Sequence, residues 1–259
     1  MINTKQLTKN QVKMISSLKT KKGRDEHQCF LAEGEHLCSE LISSNYKTDF
    51  IILKNDANKT SLNIAKIFIS GGIEIFNIDE KQFEKLSDTQ TPQDILAVVK
   101  IPPPSINQKK PFIALDGVSE PGNVGTIIRT AEWFGFTEII LGNNCADLYN
   151  PKTVRSTMGS IFRCNIIQNN NLENYIIKEY KNIELYGAVL DGRHNIKECK
   201  PKGNFGIIFG SEANSISPEI KKLLNYDYVI PGFGRAESLN VAIAAGISLH
   251  HFANITNKK

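Results

Sequence analysis

The chain lacks most features that would place it quickly. Its five cysteines, Cys29, Cys38, Cys145, Cys164 and Cys199, are an odd number with no CxxC pair, which argues against a disulfide framework and for small buried hydrophobes in a reducing compartment. The five histidines show no zinc-ligand spacing, so no metal centre is expected; His250 and His251 close an apolar run and read as helix-end packing. The first ten residues, MINTKQLTKN, contain no signal-peptide core, and the longest mostly apolar run, Val241 to Leu249, is too short to span a bilayer. A cytoplasmic protein with no membrane partner is the expectation. Neither GxGxxG nor GxxxxGK[ST] occurs, nor any Ser/His/Asp signature, which disfavours an ordinary dinucleotide site, a P-loop and a hydrolase triad.

What is present is an ordinary globular balance, 41% apolar and 22% charged in 259 residues, enough for one large domain or two modest ones. The net charge of +4 is unevenly placed. Lys5, Lys9, Lys13, Lys19, Lys21, Lys22 and Arg24 face Asp25 alone within the first 25 residues, a surplus of six that leaves the remainder at minus two. A basic arm on a near-neutral body suits a polyanion, although a solvated helix face would look the same.

Val12, Ile15 and Leu18 recur at helical spacing and predict a helix over 10–21. Strands at 29–32, 49–53, 73–78 and 95–99 then alternate with helices at 35–42, 61–69 and 80–85, a small α/β unit over 1–100. Residues 101–110 begin Ile-Pro-Pro-Pro and read as a stiff linker. Over 111–259 the strands 112–115, 138–141, 185–189, 206–209 and 228–230 alternate with helices at 124–134, 152–158, 172–180, 218–224 and 239–252. These strands are short apolar runs without polar alternation, as in a parallel sheet covered on both faces, where ligands bind at the carboxyl ends.

Three segments follow such strands. In Asp116 to Arg129, Asn123 reads as a helix N-cap over free N–H groups that attract an anion, with Arg129 a forked cation suited to phosphate; a merely well-capped helix fits as well. In Ile208 to Pro218, Glu212 lies beyond the strand and Ser217-Pro218 signals a helix start, although Glu212 as an exposed acid near a helix N-terminus is the plainer reading. In Ile230 to Ala242, two glycines precede Ser238, which reads as the cap of a small-sided helix, packed internally or against a second copy.

Together the stretches EPGNVGTIIRTAEWFG, IIFGSEANSIS and IPGFGRAESLNVAIAAG, in this order, resemble the SpoU (TrmH-like) RNA 2′-O-ribose methyltransferases of the SPOUT superfamily, over residues 111–255. The stretches SLKTKKGRDEHQCFLAEGEHLCSEL and KLSDTQTPQDILAVV are similar to that family's N-terminal RNA-binding domain. The resemblance implies an α/β protein with a C-terminal trefoil-knotted parallel-sheet methyltransferase domain, a smaller N-terminal α/β/α RNA-binding domain, S-adenosylmethionine as cofactor, and a homodimer acting on RNA, ribosomal rather than transfer RNA. It implies a cofactor pocket around Gly210, Ile230 and Leu239, and a catalytic set of Asn123, Arg129, Glu212, Ser238 and Asn240. Free arginine is a poor base, so Arg129 is expected to stabilise the developing alkoxide, while a general-base role would require that its proton be passed on. Ser215 stands where the family often has glycine, and so does Asp94. A non-catalytic RNA-binding protein with this fold, a tRNA 2′-O-methyltransferase and a base methyltransferase are the competing expectations.

Overall fold

The computed structural model describes residues 5–211 and 215–256. The chain forms two compact units: residues 1–103 with 149–162, and residues 104–148 with 163–259.

The first unit begins with β1 (Lys5–Gln6) and α1 (Lys9–Ser17), then α2 (Lys21–His27), β2 (Cys29–Glu33) and α3 (Glu35–Ile42). It continues through β3 (Thr48–Lys54), α4 (Lys59–Ser70), β4 (Glu74–Ile78), α5 (Glu80–Leu86) and β5 (Ile95–Lys100). The predicted helix over 10–21 is two helices. Thr8 and Gln11 form a capping box for α1, which stops at Leu18, and the Gly23 N–H donates to Thr20 Oγ1 at 3.1 Å to start α2. A Cβ on Gly23 would lie 2.1 Å from the Ser17 carbonyl oxygen, so the tight junction needs glycine.

The sheet order is β1-β4-β3-β5-β2, with β5 antiparallel to both neighbours. Leu31, Ile52, Leu96 and Val98 point to one face, where Ile15, Leu18, Phe83 and Leu86 cover them; the alternate residues Ile51 and Ala97 lie on the other, the side of α3 and α4.

Residues 149–162 also belong to this unit, although their place in sequence suggested part of a continuous 111–259 domain. They include α7 (Pro151–Ser156), and aromatic contacts hold them: Tyr149 lies 4.7 Å from Phe30 and Phe162 5.2 Å from Tyr46, between ring centres. Arg155 pairs with Asp88 at 3.1 Å, and the Tyr46 hydroxyl donates to the Ile161 carbonyl.

The basic arm is folded. Arg24 is buried and donates to the Leu18 carbonyl, Lys19 donates to the carbonyls of Lys85 and Ser87, and Lys5 pairs with Glu74. Lys9, Lys13, Lys21 and Lys22 are the arm's exposed cations without an acidic partner among the described residues.

The second unit contains β6 (Phe112–Asp116), α6 (Pro121–Trp133), β7 (Glu138–Leu141), β8 (Asn165–Gln168), α8 (Leu172–Glu179), β9 (Glu184–Ala188) and β10 (His194–Asn195). Then come β11 (Phe205–Gly210), α9 (Pro218–Lys221), β12 (Tyr226–Val229) and α10 (Val241–Thr256). All seven strands pair in parallel, in the order β10-β12-β9-β11-β6-β7-β8. β6 and β11 are buried throughout, which explains their unbroken apolar sequences. Phe112, Ala114, Ile140 and Ile208 face a core with Leu172 and Ile176 of α8; Phe252 of α10 stacks on Phe205 at 5.5 Å on the opposite side.

β12 is inserted between β9 and β10, although only five residues separate those two strands. The connecting chain therefore crosses β12: a Cβ on Gly192 would lie 2.8 Å from the Tyr228 backbone, and Arg193 Nε donates to both Asp227 oxygens at 3.0 Å.

Candidate active site

Because the sheet is parallel, the segments after β6, β9, β11 and β12 leave from one edge. Ala188 of β9 is paired with Phe209 of β11 on one side and with Tyr228 of β12 on the other. Gly210 and Ile230 therefore emerge on either side of β9, two strand spacings or about 10 Å apart. The exit of β9 between them, Val189-Leu190-Asp191, went unnoticed in the sequence. Leu190 is 68% exposed there, and an exposed apolar residue right after a buried strand is the signal that could have marked it.

The segment after β11 is shaped by close backbone approach. A Cβ on Gly210 would lie 2.1 Å from the Ser215 carbonyl carbon and 2.2 Å from the Ile216 nitrogen. Ser211 and Ser215 exchange two backbone hydrogen bonds. Glu212, expected in the catalytic set, lies outside the described residues. Ser215 has φ +55°, the left-handed region, which accounts for a position where glycine is favoured. The buried Asp116 carboxylate, at the end of β6, accepts from the Ser217 N–H at 2.7 Å and so ties the first segment to the second. The sequence reading assigned it no role.

Two caps differ from expectation. Glu120 caps α6, with Pro121 at its first position, and Asn123 lies within the first turn. Asn240, not Ser238, caps α10: its Oδ1 accepts from the Ala242 N–H at 2.9 Å, and its carbonyl accepts from the Ala244 N–H. Freed from capping duty, Asn123 Oδ1 accepts from Asn240 Nδ2 at 3.1 Å. Two asparagines 117 positions apart thus join the first and third segments, and Leu239, 44% exposed, is next to that junction.

Arg129 is exposed on α6 and makes no hydrogen bond or ion pair among the described residues; Asn123 does not hold it. Ser238 is exposed, like every residue from 231 to 240, and residues 231–239 have no hydrogen-bond partner among the described residues. The site thus offers open backbone N–H and C=O groups, the apolar side chains Leu190 and Leu239, a paired-amide junction and an uncompensated guanidinium. Such a surface fits a flat, partly apolar ligand with polar edges, as S-adenosylmethionine is. Among the described residues no group of three or more His, Cys, Asp or Glu could hold a metal. No helix of the described residues is long and apolar enough to cross a membrane.

Asp94, the other departure, lies in the first unit as a clasp. Its Oδ2 accepts from the backbone and side chain of Asn58, the cap of α4, at 3.0 and 2.9 Å, and its Oδ1 is 3.2 Å from Lys54 Nζ.

Residues 110–250 match the SpoU rRNA Methylase family, and residues 9–97 match the MRM3-like substrate binding domain. The chain is 34% identical over 245 residues to the 23S rRNA (guanosine(2553)-2′-O)-methyltransferase RlmP of Bacillus subtilis, covering 94% of this chain and 96% of the relative. It is 29% identical to an rRNA methyltransferase of Sinorhizobium meliloti whose crystal structure has AdoMet bound, with a TM-score of 0.85 and 98% of each chain covered. The SpoU methyltransferase AviRb of Streptomyces viridochromogenes, 22% identical, shares the fold with a TM-score of 0.85 over 97% of this chain and 99% of its own.

Proposed function

The chain belongs to the SpoU rRNA Methylase family, and from that premise we propose that it transfers a methyl group from S-adenosylmethionine to a ribose 2′-hydroxyl of ribosomal RNA. The observation that carries the reading is the Asn123–Asn240 bond, which joins the first and third segments at the sheet edge where the second also emerges.

The cofactor supplies a methyl carbon bonded to a sulfonium. The ribose 2′-oxygen would accept that methyl group with the thioether as leaving group, and its hydroxyl proton would pass to water or a substrate phosphate. Arg129 acts as a donor that stabilises the developing alkoxide. The paired amides of Asn123 and Asn240 set the position of the ribose, while Gly210, Ile230 and Leu239 border the cofactor. Ser238 shapes the substrate end, and Glu212 orients a hydroxyl or basic partner. Holding both reactants in line supplies much of the rate.

RNA is held in part by Lys9, Lys13, Lys21 and Lys22 of the first unit. Replacing all four with Gln is expected to flatten the salt dependence of binding, each lost phosphate contact removing about 0.7–0.9 from the log–log slope.

The enzyme works as a homodimer. α6 and α10 pack on each other, Thr130 lying 3.7 Å from where a Cβ of Gly246 would be, and expose Trp133 at 81%, Ile243 at 56% and Ile247 at 41%. Arg129 lies one helical turn before Trp133, so a second copy covering this stripe also shields the reaction from water. Cytoplasmic residence fits five free cysteines, of which Cys145 is pushed up to about 11 and Cys164 and Cys199 to about 12 by burial. A trefoil knot fits the crossing of β12 by the β9–β10 connection.

The decisive experiment maps ribose 2′-O- and base methylation of ribosomal and transfer RNA with and without the gene, beginning at the 23S guanosine that the Bacillus relative modifies. Loss at one ribosomal position is the expected result. A missing methyl in transfer RNA or on a base moves the substrate or the target atom; no missing methyl, with no transfer by the purified protein, leaves a non-catalytic RNA binder.

A further inference from the structure

Phe233 is fully exposed, at 100%, in a chain that buries most of its aromatic residues. It lies four residues beyond Val229, the last residue of β12, hence within about 14 Å of the carboxyl end of that strand. Gly232 and Gly234 flank it, and a Cβ added to either would meet nothing within 4 Å. The ring therefore stands on a stem with open space on both sides. Two residues on, Arg235 is exposed, with no partner among the described residues. The same segment ends at the Asn123–Asn240 junction.

We propose that Phe233 is a stacking platform for an unpaired nucleobase of the RNA substrate, beside the nucleotide whose ribose is methylated, with Arg235 meeting the adjoining phosphate. The inference rests on the RNA methyltransferase reading and deepens it. An accessible ribose belongs to a nucleotide whose neighbours are unpaired, and splayed bases stack on aromatic rings. A phenyl ring has no hydrogen-bonding group, so Phe233 contributes affinity and positioning rather than base identity. The stripe assigned to the second copy runs along α6 and α10, whereas Phe233 precedes α10 by eight residues.

The test uses the full chain and 23S ribosomal RNA transcribed in vitro. Phe233→Ala is expected to raise the KM for RNA about tenfold with kcat within about twofold; Phe233→Tyr stays near wild type, and Phe233→Leu behaves like Ala. Calorimetric affinity for S-adenosylmethionine and solution mass stay unchanged. An unchanged KM in Phe233→Ala, or rescue by Leu equal to that by Tyr, overturns the stacking role. Weakened cofactor affinity in Phe233→Ala instead assigns the ring to the cofactor, and a fall in mass assigns it to the second copy; either outcome overturns the proposal. If the wild type transfers no methyl group, the enzymatic reading fails separately. Equilibrium binding of the same variants to the transcript then decides the stacking role.

Discussion

The two units use the same alternation of strands and helices but treat their loops oppositely. In the first, the Glu33 carboxylate accepts from the Ser87 hydroxyl, from the Thr89 hydroxyl at 2.8 Å and from the Asp88 N–H at 3.2 Å. Gln93 Oε1 accepts from the Glu35 N–H, and Asn58 donates to Glu35 and Asp94. That end is closed by its own side chains. In the second unit, residues 231–239 are all exposed and without partners among the described residues. The segment leaves the carboxyl end of a buried parallel sheet, the edge at which such sheets bind ligands. The closed end is braced by its own side chains, and the open end is where the proposed site lies.

The sharpest way to break that contrast is Arg129→Ala. It should cut methyl transfer about 100-fold or more, a loss comparable with removing one transition-state donor, while calorimetry shows unchanged cofactor affinity and thermal melting stays put. Near wild-type turnover would remove Arg129 from the mechanism. At the closed end, Glu33→Ala leaves three donors without their buried acceptor and should cost about 2–4 kcal/mol in a denaturant titration. Cofactor binding should survive; its loss would mean the two ends are not separable as scaffold and site.

Asp227→Asn probes the crossing over β12. Burial pushes the Asp227 carboxyl up, but the Arg193 hydrogen bonds and charge outweigh it and hold the group below the usual carboxylate range. A lowered value means that the stabilisation is present above the ordinary carboxylate pKa and is lost as pH falls through the lowered one. The variant should therefore be less stable by about 1–2 kcal/mol at pH 7, with the gap closing below about pH 4 in parallel melts. A gap that does not depend on pH would rule out the ion pair as its source. The smallest effect is expected from Ser215→Gly, which relieves a left-handed residue and should raise the melting temperature by about 2–4 °C. A lower melting temperature would show that the Ser215 side chain is worth more than the strain.

Much of the architecture was legible because it is local. Unbroken apolar runs such as Phe112–Leu115 and Gly206–Phe209 announced parallel strands, and each falls within an observed strand. The stretch Asn165–Gln168 was not read as a strand because only its two isoleucines are apolar, and two-residue β10 is too short for any period to show. The caps were misassigned for an instructive reason. Asn123 and Ser238 each have a good capping side chain, but Glu120 with Pro121 starts α6 three residues earlier, and Asn240 starts α10 two residues later than Ser238 would allow. Capping propensity ranks candidates; the packing of each helix selects one.

By itself, the sequence determined the α/β periodicity, the change of character at the prolines near residue 103, and the three small-residue segments after buried strands. Each depends on residues a few positions apart. Only the tertiary structure decided that β12 is inserted between β9 and β10, that residues 149–162 join the first unit, and that Asn123 meets Asn240. Those facts depend on which distant surfaces bury each other best, a choice made by the whole chain at once that no local window contains.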